Sequence, residues 1–125
     1  MFVSALALCI VANTKITSVS MPPILEDGEE PLQLTFSKDS DQTPRFGPNG
    51  KIVYISSSVK GISIMTMSGD GADKQQVINC VSGTFEHPSW GPNGEILFTF
   101  LKNGCGNLFI VRSDGSGLRQ LTNYQ

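Results

Sequence analysis

The chain has 125 residues, of which 39% are hydrophobic and 16% are charged, and its formal net charge is −2. This composition can form a hydrophobic core and excludes wholesale disorder. It contains no basic run, which argues against nucleic-acid binding, and no apolar run of the about 20 residues that cross a bilayer. The 13 glycines and 7 prolines favour many short strands joined by turns.

The N-terminus begins with an apolar stretch over residues 2–12. Its length fits the hydrophobic region of a secretory signal, although the first basic residue, Lys15, follows the stretch instead of preceding it. A truncated leader and a strand from a neighbouring unit are the alternatives. Acidic residues dominate 26–30 and are typical of a solvated linker. We therefore predict a leader and linker over residues 1–31 and a folded domain over residues 32–125.

The folded domain contains an internal repeat with an offset of 44 residues. The string Pro44-Arg45-Phe46-Gly47-Pro48-Asn49-Gly50 aligns without a gap with Pro88-Ser89-Trp90-Gly91-Pro92-Asn93-Gly94. Ten of the 38 positions from 42 to 79 are identical, where ordinary residue usage gives roughly two. The repeats cover about 36–79 and about 80–123, and residues 32–35 echo the end of a preceding unit. A period near 44 is typical of propeller blades, which repeat every about 40–45 residues.

Each repeat predicts four antiparallel strands. The Gly-Pro-Asn-Gly string predicts a turn, because proline presets the second position while asparagine and glycine tolerate left-handed backbone. The Asp-Gly pairs at 70–71 and 114–115 predict a hairpin between the third and fourth strands. The second strands are apolar on both faces, which favours a sheet covered on both sides. The predicted strands are 43–46, 51–56, 62–67 and 74–79 in the first repeat and 87–90, 95–100, 107–112 and 118–123 in the second.

We therefore predict an all-β fold, a partial β-propeller of two four-stranded antiparallel blades with a remnant of a preceding blade. An ordinary antiparallel sandwich is the alternative, but a sandwich requires no ungapped repeat. Two blades leave two apolar faces uncovered, and fewer than three repeats are seldom stable. The sequence therefore predicts either a fragment of a larger propeller or a homo-oligomer that completes one.

These motifs resemble the TolB-like, WD-like β-propeller repeat family over about residues 34–123. The resemblance lies in a Leu-Thr pair, a spacer, Pro-x-Trp-x-Pro-Asn-Gly, an apolar strand, and Asp-Gly before the next Leu-Thr. It implies a non-catalytic module that binds a protein or peptide and that is periplasmic or secreted, with a cytoplasmic location as the alternative. A related propeller precedes the catalytic domain of prolyl-oligopeptidase-type hydrolases, so a remnant of such an enzyme is the alternative function. A broken reading frame without a function of its own is a third hypothesis.

The sequence lacks the motifs of catalysis. Gly-x-Ser-x-Gly does not occur, and the one histidine, His87, stands where Thr43 stands in the other repeat. We therefore predict that the chain is not an enzyme and has no cofactor and no metal site. As first-strand residues, Arg45 and His87 are predicted to present polar groups at the mouth of the propeller channel, as binding residues.

The cysteines are Cys9, Cys80 and Cys105, and no Cys-x-x-Cys pair indicates a zinc site. Cys80 follows a predicted fourth strand, and Cys105 is predicted to lie in the loop between a second and a third strand. Both connections then lie on the same side of the propeller. A disulfide between Cys80 and Cys105 is one prediction for an oxidising compartment, and two unrelated thiols are the alternative.

Overall fold

The computed structural model describes residues 31–125, and the predicted leader therefore lies outside the described residues. The described part forms two four-stranded antiparallel sheets in which the strand order equals the chain order. Sheet 1 contains β1 (Ser40–Phe46), β2 (Ile52–Ser58), β3 (Gly61–Met67) and β4 (Gln75–Cys80). Sheet 2 contains β5 (Thr84–Trp90), β6 (Glu95–Lys102), β7 (Cys105–Arg112) and β8 (Arg119–Gln120).

The strand pairing of sheet 1 is repeated in sheet 2 with the offset of 44 residues found in the sequence. Ile52 pairs with Met67 in sheet 1, and Ile96 pairs with Val111 in sheet 2. The other ladders keep the same offset. The apolar strands β2 and β6 lie in separate sheets, so the predicted all-β fold with two four-stranded antiparallel blades is confirmed.

Some strand boundaries differ from the prediction. β1 and β5 begin at Ser40 and Thr84, three residues before the predicted starts. Cys105 is the first residue of β7, so its predicted place in a loop is wrong. β8 contains two residues, where six were predicted.

Side chains replace the missing end of the β8 ladder. Asn107 Nδ2 donates to the carbonyl oxygen of Tyr124 at 3.1 Å, and Asn107 Oδ1 accepts from the Tyr124 N–H at 2.6 Å. Thr122 Oγ1 accepts from the N–H of Leu108 at 2.9 Å. Because side chains satisfy these backbone groups, the last residues follow β7 without forming a regular strand.

The predicted turns are present in both units. Asn49 has φ 59°, the left-handed conformation that asparagine tolerates, and the Gly47 N–H donates to the Lys51 carbonyl at 2.8 Å. In the Asp-Gly turns, Asp70 Oδ1 accepts from the N–H two residues later at 2.9 Å, and Asp114 Oδ1 does the same at 2.9 Å. In the second unit, the Gly91 N–H donates to the Glu95 carbonyl at 2.7 Å, as Gly47 does to Lys51, so matched closing bonds accompany the equal strand register.

A hydrophobic core fills the space between the sheets, and we call it the inter-sheet core. Phe85 and Phe98 lie at its centre, with ring centroids 5.3 Å apart at an interplanar angle of 88°, and Phe109 stacks on Phe98 at 5.8 Å. Full burial of each such side chain stabilises the fold by about 1.5–3 kcal/mol. The buried members are Val53, Ile55, Ile64 and Val77 from sheet 1 and Phe85, Ile96, Phe98 and Val111 from sheet 2.

Trp90 fits against a glycine of the other sheet. A Cβ atom added to Gly47 would lie 2.1 Å from Cδ1 of Trp90, so only glycine leaves room for the indole. The matched glycine of sheet 2, Gly91, has only the carbonyl oxygen of Glu95 near the same point, at 3.5 Å. The position next to Gly47 is therefore occupied by an aromatic ring, whereas no ring of residues 31–125 lies next to Gly91.

The far face of sheet 1, turned away from sheet 2, is covered by the segment 31–36 that precedes β1. Leu34 is 3% exposed and packs against Ile52, Tyr54 and Met67. A Cβ atom added to Gly71 would lie 3.0 Å from the Leu34 carbonyl oxygen. In the next unit, a Cβ atom added to the matched glycine, Gly115, would lie 2.7 Å from the carbonyl oxygen of Val77 in β4. Leu34 therefore takes the place of an outer-strand residue of a preceding blade, as the sequence echo at 32–35 predicts.

The open face of sheet 2 is the side turned away from sheet 1. Ile96 and Phe98 point into the inter-sheet core, so the alternate residues of β6 point the other way. Leu108 is 40% exposed and Leu121 is 46% exposed on this side. The aliphatic side chains of the open face are Leu97, Leu101, Leu108, Ile110 and Leu121.

The buried phenol of Tyr54 predicts a loss of stability in alkali. Burial, with the carboxylates of Asp41 and Asp39, raises the pKa of Tyr54 well above its ordinary value. In the unfolded chain the Tyr54 hydroxyl loses its proton at about pH 10, whereas in the folded chain it keeps the proton. The resulting stabilisation is complete below about pH 10 and is lost as the pH rises further.

We therefore expect the urea midpoint of the chain to fall between about pH 8 and about pH 11, and to fall less in Tyr54→Phe. Tyr124→Phe is the control, because Tyr124 is 70% exposed. An equal fall in both variants and in the wild type would show that Tyr54 does not cause it.

Candidate binding cleft between the two sheets

A cleft of about 300 Å³ opens where the first strands of the two sheets approach each other. Gln42 of β1 pairs with Ile55, and Ser57 pairs with Ile62 farther along the same sheet. The cleft therefore lies toward the end of the sheets that carries the β2–β3 turn. Its lining consists of Gln42, Thr43, Ile55, Ile62, Thr84, Phe85, Glu86 and His87.

A β-bulge shapes each wall of the cleft. The pairing of β1 shifts between Gln42 and Arg45, and the pairing of β5 shifts between Glu86 and Ser89. At each bulge one residue adopts φ 52°, Thr43 in β1 and its matched residue in β5. This conformation is rare for residues other than glycine and costs about 1–2 kcal/mol. The bulge occurs in both units and is therefore a feature of the repeat. It turns successive first-strand side chains toward the cleft.

The cleft combines an apolar floor with a polar rim. Ile55, Ile62 and Phe85 form the floor. Glu86 supplies a half-buried carboxylate that accepts hydrogen bonds, and His87 supplies an exposed imidazole that donates or accepts. An apolar floor with a few polar groups is the usual composition of a binding pocket, and 300 Å³ is at the lower end of the usual size. Among residues 31–125, no serine or cysteine lines the cleft.

The two residues predicted to bind lie in different places. His87 lines the cleft. Arg45 is exposed beyond the bulge of β1, and its Nη1 donates to the Pro44 carbonyl at 3.1 Å. Sequence reasoning missed Gln42 and Glu86, which occupy matched positions with the offset of 44 residues. Their matched positions in the two repeats could have indicated a shared role. Both residues were left out because they precede the predicted strand starts at 43 and 87.

A second recess, of about 140 Å³, lies where turn residues of both units meet. It includes Lys51 and Asp73 from the first unit and Asp114 from the second. Hydrogen bonds from the Ser116 hydroxyl and N–H, at 2.6 and 2.9 Å, hold the pKa of Asp114 below its ordinary value. Its charge therefore stabilises the turn itself, so we place the candidate site in the larger cleft.

The cysteines of the described part are Cys80 and Cys105, both half-buried and both free. Cys80 ends β4, and its Sγ accepts from the Ser82 N–H at 3.4 Å. The disulfide between them remains a prediction.

Residues 31–125 contain no group of three or more His, Cys, Asp or Glu side chains placed to hold a metal ion. No helix in this range has the length and apolar character needed to cross a membrane.

Comparison with known proteins gives one consistent relationship. The chain is 34% identical over 99 residues to a TolB homolog of Chlorobium luteolum and 38% identical over 101 residues to one of Chlorobaculum tepidum. Each alignment covers 77% of this chain and 22% of the relative. The chain is similar to TolB proteins.

A third relative of this TolB-like chain is the Tol-Pal system protein TolB of Nitrosospira multiformis. It is 36% identical over 53 residues, which is 42% of this chain and 12% of the relative. The TolB-like chain thus spans about a fifth or less of the length of these relatives. No protein-family model matches the chain, and no solved structure matches it.

Proposed function

We propose that this chain is a non-catalytic, TolB-like propeller module that binds a protein or peptide through the cleft between β1 and β5. The observation that carries the proposal is the cleft itself, with an apolar floor between two bulged strands. The similarity to TolB proteins supports it, since one of these relatives is named as a member of the Tol-Pal system. By the same relationship we propose that the chain works in the periplasm, as a part of a larger propeller.

The lining indicates which part of a partner the cleft accepts. Ile55, Ile62 and Phe85 offer a floor large enough for one aliphatic or aromatic side chain. Glu86 can accept a hydrogen bond from a peptide N–H or a basic side chain, and the Gln42 amide can both donate and accept. An extended segment with one apolar anchor and a neighbouring donor fits this arrangement.

Exposed apolar side chains near the cleft favour a protein as the partner. Val59 in the β2–β3 turn is fully exposed, and Val81 in the β4–β5 connection is 81% exposed. Both lie at the end of the sheets where the cleft opens. A partner larger than the cleft would cover them and add apolar contact area.

The test is selection of binding peptides from a random phage-displayed library on the purified chain. We expect the selected peptides to lose about ten-fold or more in affinity, about 1.4 kcal/mol, with Glu86→Gln and with His87→Asn. Asparagine is chosen because it tolerates the left-handed conformation that His87 adopts. Arg45→Ala, outside the cleft, is the matched control and should bind as the wild type does.

Peptides whose affinity responds to Arg45→Ala but not to the cleft variants would contradict the proposed site. A Gly-x-Ser-x-Gly motif in sequence that continues this reading frame would favour the hydrolase alternative instead.

A further inference from the structure

We propose that Asn103, in the two-residue turn between β6 and β7, is a site of spontaneous covalent modification. Its side-chain amide is lost as ammonia through a cyclic imide, and the imide opens to an aspartate or an isoaspartate. The reaction needs no enzyme, no partner and no oxidant, because water is the only other reactant.

The reaction joins a side chain to the backbone that follows it. The nitrogen of Gly104 forms a bond to Cγ of Asn103, its proton passes to a base in the solvent, and the Cγ–Nδ2 bond breaks so that ammonia leaves. Water then opens one of the two imide carbonyls. One direction gives aspartate, and the other gives isoaspartate, in which the backbone runs through the former side chain. A following glycine favours the attack, because it has no Cβ to shield its nitrogen and its backbone turns freely.

The β6–β7 turn presents both reacting residues to solvent. Lys102 and Cys105 form the last pair of the ladder, so Asn103 and Gly104 make up the turn. Both are exposed, and their φ angles of 52° and 81° are the left-handed pair of a tight hairpin turn. A Cβ atom added to Gly104 would meet nothing within 4 Å. Among residues 31–125, no acceptor is hydrogen-bonded to the Gly104 N–H.

The two other Asn-Gly pairs lie in the Pro-Asn-Gly turns, where the structure restrains them. In the second unit, the Gly94 N–H donates to the Gly91 carbonyl at 3.3 Å. In the first unit, the Gly50 carbonyl lies against the β3–β4 turn, where a Cβ atom added to Gly69 would be 2.8 Å from it. The attack rotates the peptide that follows the asparagine, so these contacts oppose it.

The two Asp-Gly turns are restrained more strongly. The N–H groups of Gly71 and Gly115 donate to backbone carbonyls at 2.9 and 2.8 Å. Asp70 Oδ1 and Asp114 Oδ1 each accept a backbone N–H at 2.9 Å. An ionised carboxylate is also a poorer target for a nucleophile than an amide. Of these five turns, the β6–β7 turn is therefore the one most open to attack.

Modification changes both the charge and the backbone at this end of sheet 2. Either product adds one negative charge to a chain whose formal net charge is −2. Isoaspartate also adds a methylene group to the backbone of a two-residue turn, and turn length sets the register of a hairpin. We expect the pairing of Lys102 with Cys105 to open in the isoaspartate product, while the inter-sheet core stays intact.

The test is incubation of the folded chain in mildly alkaline buffer, followed by peptide mapping with mass spectrometry. Fragmentation by electron transfer distinguishes isoaspartate from aspartate. We expect both products at Asn103, formed at least about ten-fold faster than at Asn93. Asn79 and Asn107 are the controls, because cysteine and leucine follow them, and they should stay unmodified.

The unfolded chain is the reference for this selectivity. In guanidinium chloride the restraints of the fold are lost, so we expect Asn103 and Asn93 to react at similar rates. Gly104→Asn keeps a residue that tolerates the left-handed conformation. It should slow the loss of ammonia at Asn103 by about ten-fold or more, with circular dichroism to confirm folding.

Three outcomes would overturn the proposal. The first is an Asn103 that stays intact in the folded chain over the time in which the unfolded chain reacts. The second is an equal rate at Asn103 and Asn93 in the folded chain. The third is aspartate without isoaspartate, because direct hydrolysis of the amide gives aspartate alone.

Discussion

Ile64→Ala is expected to destabilise the chain by about 2–5 kcal/mol, the range for a fully buried isoleucine in a core. Ile64 is 0% exposed and lies in the inter-sheet core, whose members come from both sheets. Truncation removes buried methyl groups and leaves a cavity that the two rigid sheets cannot close. The free energy of unfolding from urea titration, at low protein concentration, measures the effect.

Leu108→Ala is the matched control for this substitution. Leu108 has the same position in sheet 2, with the offset of 44 residues, but it is 40% exposed on the open face. We expect its truncation to cost less than about 1 kcal/mol, as for partly exposed positions generally. Equal losses from both substitutions would mean that the core is not concentrated between the two sheets.

Gly47→Ala is expected to destabilise the chain by about 3 kcal/mol, the upper end of the range for overpacking. The new methyl group would overlap the indole of Trp90, since a Cβ there lies 2.1 Å from Cδ1. The ring is half-buried and packs against the inter-sheet core, so displacing it disturbs that core. Thermal unfolding measures the loss. A fall in the fluorescence anisotropy of Trp90, the single tryptophan, would report the displaced ring.

Gly91→Ala separates this overlap from any general effect of replacing a turn glycine. Gly91 occupies the same turn position in the second unit, but the nearest atom to its added Cβ is the Glu95 carbonyl oxygen at 3.5 Å. We expect a change within about 0.5 kcal/mol, or a slight gain from the stiffer unfolded chain. A large loss with Gly91→Ala would show that the turn itself requires glycine.

The sequence alone was sufficient to predict the two sheets and their strand order. The ungapped repeat requires that Ile52 and Ile96 have the same partners, and turn residues such as Asn49 fix where each hairpin reverses. Period and turn chemistry are local properties, so they can be read before any packing is known. The strand ends were less predictable, because the shortening of β8 depends on hydrogen bonds from Asn107, a residue of another strand.

The candidate cleft was only partly predictable. His87 was identified as a first-strand residue, and it does line the cleft. Glu86 and Gln42 were missed, because the bulges that lengthen β1 and β5 leave no signal in hydrophobic periodicity. The cleft also requires that two strands 44 residues apart come together, which is a property of sheet packing and not of either strand.

The equal register of the two sheets has a consequence for how the gene can change in length. No strand of one sheet pairs with a strand of the other, so each set of backbone partners is complete within its own 44-residue span. Duplication or excision of one such span leaves all remaining partners in phase, whereas insertion or deletion of one residue within a strand shifts a ladder and turns apolar side chains to the wrong side. Relatives of this chain should therefore differ in size by whole multiples of that span more readily than by fractions of it.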